Sequence, residues 1–266
     1  MENSLRFNPD LYRVISKGEG EQYASYRAYM GITYCMHLED SIQKMNIFVP
    51  EAYMRGEEIN GYDRASAPVF IPFPIGGYMP GEAQEPVLNE NGEGNSLLEA
   101  LRLGYVVVAP GIRGRTSKNL ETGKYTGKAP ALVADAKAVI RYLRHNRDLI
   151  PGNMERMIVS GTSAGGALSA LVGATGNHMD YLPYLTEMGA ADEKDDVFAA
   201  NCYCPIHNIE HADMAYEWQF CGINTYAGSV RRGSGVMNEK QIALSAELKA
   251  AFPAYVNSLG LKKANG

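Results

Sequence analysis

At 266 residues, 45% of them hydrophobic and 21% charged, the chain has room for one large α/β domain or for a domain plus part of another. A net charge of −5 offers no polycationic surface, so nucleic acid is not an expected partner. No run approaches the roughly 18 uninterrupted apolar residues of a membrane span, the N-terminus has no apolar run after a basic start, and the four cysteines are too few and too scattered for a disulfide framework. The expectation is a protein with no membrane partner and no secretory leader, in a reducing cytoplasm; composition leaves the oligomeric state open.

In chain order, "QKMNIFVPEAY" (43–53) alternates like a strand, with Pro50 suited to its end. "APVFIPFPIGGYMPG" (67–81) reads as a buried strand running into a Pro- and Gly-rich loop. In "NSLLEALRLGY", Ser96 and Glu99 have capping-box spacing and Gly104 sits where a helix would stop. "YVVVAPGIRG" is apolar throughout, as in a parallel strand covered on both faces. "PALVADAKAVIRYLRHN" puts Leu132, Val133, Ala136, Val139, Ile140 and Leu143 on one helical stripe behind Pro130. A strand, a turn and a helix follow within "MIVSGTSAGGALSALVGATG" (157–176), and "VFAANCYCPI" (197–206) is one more apolar strand. In it Cys202 and Cys204 share a face and read as small core residues. Strands separated by helices imply crossovers and a mostly parallel sheet flanked by helices, with ligands beyond the carboxyl ends of its strands.

Gly161-Thr162-Ser163-Ala164-Gly165 has the pattern G-x-S-x-G between a strand and a helix. A serine on such a strained turn projects its hydroxyl away from the sheet, and close packing requires small neighbours on either side, here Gly161, Gly165 and Gly166. The N–H of Ala164 at the helix start is a candidate oxyanion donor. A second should come from the loop after an earlier strand, where "PIGGYMPG" offers Gly77, with Gly76 next. The bland alternative is a glycine-rich turn serving helix–strand packing alone.

Together, "APVFIPFPIGGY", "GTSAGGALSALVGATGNHMDY" and "CYCPIHNIEHADMAYEW" resemble bacterial tannases, the tannin acyl hydrolases of α/β-hydrolase fold, over residues 34–220. The resemblance implies an α/β-hydrolase sheet, hydrolysis of aromatic, galloyl-type esters by Ser163, and no cofactor. It also implies a lid after the strand at 197–206, with the acid and histidine of the triad in strands beyond it. The expectation is therefore a chain that stops before those strands, with residues 1–221 as the front of the hydrolase core and 222–266 as the start of a lid.

Within the chain, Asp213, His207 and His211 follow the strand beside that of Ser163 and are the candidates for a substitute acid or base or for substrate-side groups. "HNIEH" also fits H-x-x-E-H, the pattern of an inverted zinc protease, which needs a helix and a third ligand downstream; no metal is expected, because the segment directly follows a strand and Pro205. Arg113 and Arg115 could orient a substrate phenol or carboxylate or simply be solvated, and Asp135 reads as an ion-pair or cap partner. "NEKQIALSAELKAAFPAYVNSLG" is expected to be a helix, with no apolar strand after 206. A non-catalytic hydrolase-like binding module, or less readily a zinc hydrolase, are the alternative functions.

Overall fold

In the computed structural model, which describes residues 5–20, 23–119, 121–206, 208–227 and 233–262, the apolar run at 106–110 lies inside a seven-stranded sheet. The strands are β1 (Arg13–Lys17), β2 (Ala24–Thr33), β3 (Lys44–Pro50), β4 (Val69–Pro72), β5 (Val106–Pro110), β6 (Met157–Thr162) and β7 (Ala199–Tyr203). Their order is β1-β2-β3-β5-β4-β6-β7. β5, β4, β6 and β7 pair in parallel, and β1, β2 and β3 extend the sheet in antiparallel fashion. β1 and β2 show no clean apolar pattern in sequence, because polar residues interrupt both strands. The helices of this part are α1 (Ser96–Arg102), α2 (Ala131–His145), α3 (Ala164–Ala174) and α4 (Leu182–Glu187).

The period of two divides β5 between two cores. Val106 and Val108 join the side that holds α2, while Val107 and Ala109 join the side where Leu97, Leu98 and Leu101 of α1 pack. The cap of α1 is Asn95 rather than Ser96: its side chain accepts the Leu98 N–H at 3.1 Å. Pro130 sits one position before the first residue of α2.

α2 is covered on almost every side, and its charged residues are paired rather than exposed. Asp135, fully buried, accepts hydrogen bonds from Gln43 Nε2 at 2.9 Å, from the Arg113 backbone N–H at 2.9 Å and from the Arg113 guanidinium at 2.8 Å. Burial pushes its carboxyl up, against the pull of Arg113. On the same helix Lys137, Arg141 and Arg144 grip one segment: Lys137 and Arg141 bind the Asp195 carboxylate at 2.7 and 2.8 Å, and Arg144 donates to the carbonyls of Lys194 and Asp196. Lys137 also donates to the Thr175 carbonyl at 2.6 Å, so one ammonium ties the end of α3 to the segment that leads into β7.

By compactness the chain divides after Pro205, so Ile206–Gly266 form a second unit that begins ahead of residue 222. It contains α5 (Ile209–Phe220), a short hairpin of β8 (Thr225–Ala227) with β9 (Ser234–Val236), and α6 (Glu239–Ser258). The hairpin strands are short and mostly exposed, without the apolar run that marks a core strand, so among the described residues no apolar strand follows 206, as expected. α6 opens with a capping box made by Asn238 and Gln241. α5 and α6 pack through the Trp218–Phe252 ring pair and the Glu217–Ser245 hydrogen bond.

Replacing Asp135 with Asn should leave the buried Arg113 charge without its main partner and cost about 3 kcal/mol or more. A urea midpoint unchanged within error would refute that account. A second expectation concerns alkaline pH. Burial pushes the Tyr26 and Tyr53 phenols up to about 12 from 10.0 and the Cys35 thiol up to about 12 from 9.0. Each group is held neutral in the folded state, so the stability it contributes is complete below pH 9 and is lost as pH rises toward 12. Urea midpoints at pH 7 and pH 10.5 check this; equal values would contradict it.

Candidate functional site

The parallel strands β5, β4, β6 and β7 open their carboxyl ends at one edge of the sheet, where ligands bind in such folds. β6 ends at Thr162 and α3 begins at Ala164, which leaves Ser163 alone between them with φ 59° and ψ −116°. A non-glycine residue there costs about 1–3 kcal/mol and persists only where its surroundings hold it. Backbone groups do so. The Ser163 N–H donates to the Tyr203 carbonyl at 3.0 Å, and its carbonyl accepts from the Ala167 N–H at 3.0 Å.

The three glycines around it are explained by contact. A Cβ on Gly161 would collide with the Gly165 carbonyl, one on Gly166 would collide with the Tyr203 carbonyl, and one on Gly165 would come within 3.1 Å of the Phe73 carbonyl. The Gly165 N–H donates to the Ile75 carbonyl at 3.1 Å, so the loop after β4 lies against the first turn of α3. The Ala164 N–H has no acceptor among the described residues, and the first turn of α3 carries no acidic side chain. Together these leave a donor and the positive end of a helix dipole beside the Ser163 hydroxyl.

From Ile75 the chain runs through Gly76 and Gly77, both exposed, with open space where a Cβ would stand. Gly77 and Tyr78 both have φ 58°. The turn is pinned to the loop after β5, because the Arg115 N–H donates to the Tyr78 carbonyl at 2.7 Å and Gly81 and Ile112 exchange backbone hydrogen bonds of 3.1 and 2.9 Å. Sequence periodicity gave no sign of these pins, nor of the carbonyls of Ile75 and Tyr203 as the holders of the Ser163 turn; they are backbone groups that many residues could supply.

The other candidates stand on other elements. Asp213 is exposed and His211 half-buried, both on α5 in the second unit, and His207 lies outside the described residues. The "HNIEH" segment turns helical at Ile209, although it follows a strand and Pro205 so directly. His211 lies against the Tyr255 ring at 3.9 Å, its Nδ1 buried without a partner among the described residues. Arg113 is no substrate arginine: at 3% exposure it is engaged by Asp135, Glu39 and the Thr126 carbonyl. Asp135 is its ion-pair partner, as its position suggested. Cys204, read as a core residue, is exposed with φ 34°, because β7 is covered only in part. A cavity of about 510 Å³ opens at the N-terminus of α2, lined by His37, Lys124, Lys128, Tyr184 and Glu187; neither Ser163 nor Gly77 borders it. No described helix is long and apolar enough to cross a membrane.

If the Ser163 turn is strained, Ser163→Gly should be more stable than Ser163→Ala by about 1 kcal/mol, since both lose the hydroxyl and only glycine relieves the positive φ. Urea midpoints of the two variants decide this, and the opposite order would show a relaxed turn.

Comparison with known proteins gives the same outline. The family described as BD-FAE matches residues 62–210, more than half of the chain. The structure of a tannase from Fusobacterium nucleatum is similar at 45% identity, covering all of this chain and 59% of that one, with a TM-score of 0.91. A tannin acyl hydrolase from Lactobacillus plantarum is similar at 46% identity, covering 99% and 58%, with a TM-score of 0.90. A tannin acyl hydrolase in complex with ethyl gallate gives 46%, 98% and 57%, with a TM-score of 0.88. A comparison with curated proteins found no match. The chain thus spans less than two thirds of the length of these tannases. With a sheet whose strand order and parallel half open toward one serine-bearing turn, the chain belongs to the BD-FAE family of α/β-hydrolases and has bacterial tannases as its structural neighbours.

Proposed function

We propose that this chain carries the nucleophile half of a cytoplasmic serine esterase that cleaves aromatic, galloyl-type esters through an acyl-enzyme and without a cofactor. The observation that supports it most is the backbone of Ser163, a non-glycine residue at φ 59° held at the one edge where four parallel strands end. Strain of that kind persists where a side chain is needed in that orientation. The substrate class follows the relatives, among them tannin acyl hydrolases in complex with ethyl gallate and with 3,4-dihydroxybenzoate.

In this reading Ser163 Oγ attacks the ester carbonyl carbon while its proton passes to a base. The N–H groups of Ala164 and Gly77, with Gly76 beside it, stabilise the oxyanion. The bond to the alcohol oxygen then breaks, the alcohol leaves with the proton, and water releases the acid from Ser163 by the same route in reverse. Because the relatives are longer, we place the base and its acid in residues outside this sequence, and the start of a lid at 222–266. Asp213, His207 and His211 are the alternatives within it.

Purified protein is to be assayed on methyl gallate beside its Ser163→Ala variant. The 266-residue chain should turn over no faster than the variant. In a chain of the relatives' length, Ser163→Ala should cost on the order of 10³-fold or more in kcat. Ser163-dependent turnover by the shorter chain would put the base at His207 or His211. Turnover by the longer chain that ignores Ser163 would sink the serine mechanism.

A further inference from the structure

Arg115 differs from the other arginines around the loop after β5. Arg113, two residues earlier, is buried and saturated by carboxylates, whereas the Arg115 side chain is exposed and no carboxylate among the described residues pairs with it. It is nevertheless held. Its backbone N–H is fixed to the Tyr78 carbonyl at 2.7 Å, and its Nε donates to the Met79 thioether at 3.5 Å. Gly114 keeps this contact close, because a Cβ there would run into the backbone of Met79 and Pro80. With Nε engaged, the two terminal nitrogens still carry four N–H groups, the end-on edge that a carboxylate accepts in bidentate fashion.

The position of this guanidinium relates it to the serine turn. Its backbone partner Tyr78 directly follows Gly77, the second candidate oxyanion donor, and the same loop is tied to the first turn of α3 by the Gly165 N–H on the Ile75 carbonyl. Met79 is itself 40% exposed, and its polarizable sulfur offers an apolar surface for a ring beside the charge.

We infer that Arg115, seated on Met79, is a specificity-determining residue that binds a carboxylate carried by the substrate, selecting esters with an anionic ring over neutral ones. The inference rests on the esterase reading of Ser163, and its test is kept independent of turnover. Binding of 4-carboxyphenyl gallate and of phenyl gallate is measured by calorimetric titration on the Ser163→Ala chain, where neither ester is consumed by Ser163. The carboxylated ester should bind more tightly, and Arg115→Met should reduce the ratio of the two affinities about tenfold. Arg115→Lys should restore part of it, since a point charge replaces a planar fork. The advantage should also shrink between 50 and 500 mM salt, the conditions of the test. A ratio near one, a ratio unmoved by Arg115→Met, or no binding of either ester would overturn the assignment. The esterase reading fails separately, in the methyl gallate assay of Ser163→Ala.

Discussion

The site depends on one steric constraint, the absence of side chains where β6 turns into α3. Gly161, Gly165 and Gly166 let three backbone segments approach to contact distance: the first turn of the helix, the loop after β4 at Phe73 and Ile75, and the end of β7 at Tyr203. Because those segments touch, their carbonyls can hold the N–H groups of Ser163 and Gly165. A single methyl group at Gly166 would press against the Tyr203 carbonyl and so disturb the bond that fixes Ser163. The shape of the turn is thus set by neighbours that are distant in sequence.

Much of this could be read from the residues. A serine between small residues, after an apolar strand and before an apolar helix, marks a tight strand-to-helix turn, because small neighbours are what close approach of helix and strand requires. The stripe on α2 likewise announces its burial. What the pattern hid was of three kinds. Strands β1 and β2 carry polar residues along their length and pair only with neighbours in an antiparallel extension of the sheet, so their periodicity is weak. The cap of α1 went to Asn95 because its side chain, not that of Ser96, reaches the Leu98 N–H. The fate of Arg113 was invisible, because a loop arginine becomes a core residue only when Asp135, far along the chain, faces it. For the candidate site, Ser163 and its glycines were legible, whereas the arrangement of the 76–79 and 112–117 loops depends on backbone bonds that no residue type encodes.

Two arginines two residues apart take opposite places in the fold. Arg113 faces inward and closes a network with Asp135, Gln43 and Glu39 that anchors the loop after β5. The exposed Arg115 of the same loop meets no carboxylate among the described residues, while its Nε rests on Met79. In the carboxylate site we infer, a guanidinium on a loop anchored by buried charge would present its donors with less orientational freedom to lose on binding.

The clamp of Lys137, Arg141 and Arg144 on residues 194–196 has a thermal meaning. That segment leads into β7, whose Tyr203 carbonyl holds Ser163, and charged side chains of α2 fix it. The penalty for desolvating ions falls as temperature rises, while the apolar contribution per unit area levels off. Warming therefore shifts the task of keeping β7 in place from the oil-like core toward the ion pairs of α2, and the serine turn inherits whatever heat tolerance those pairs confer.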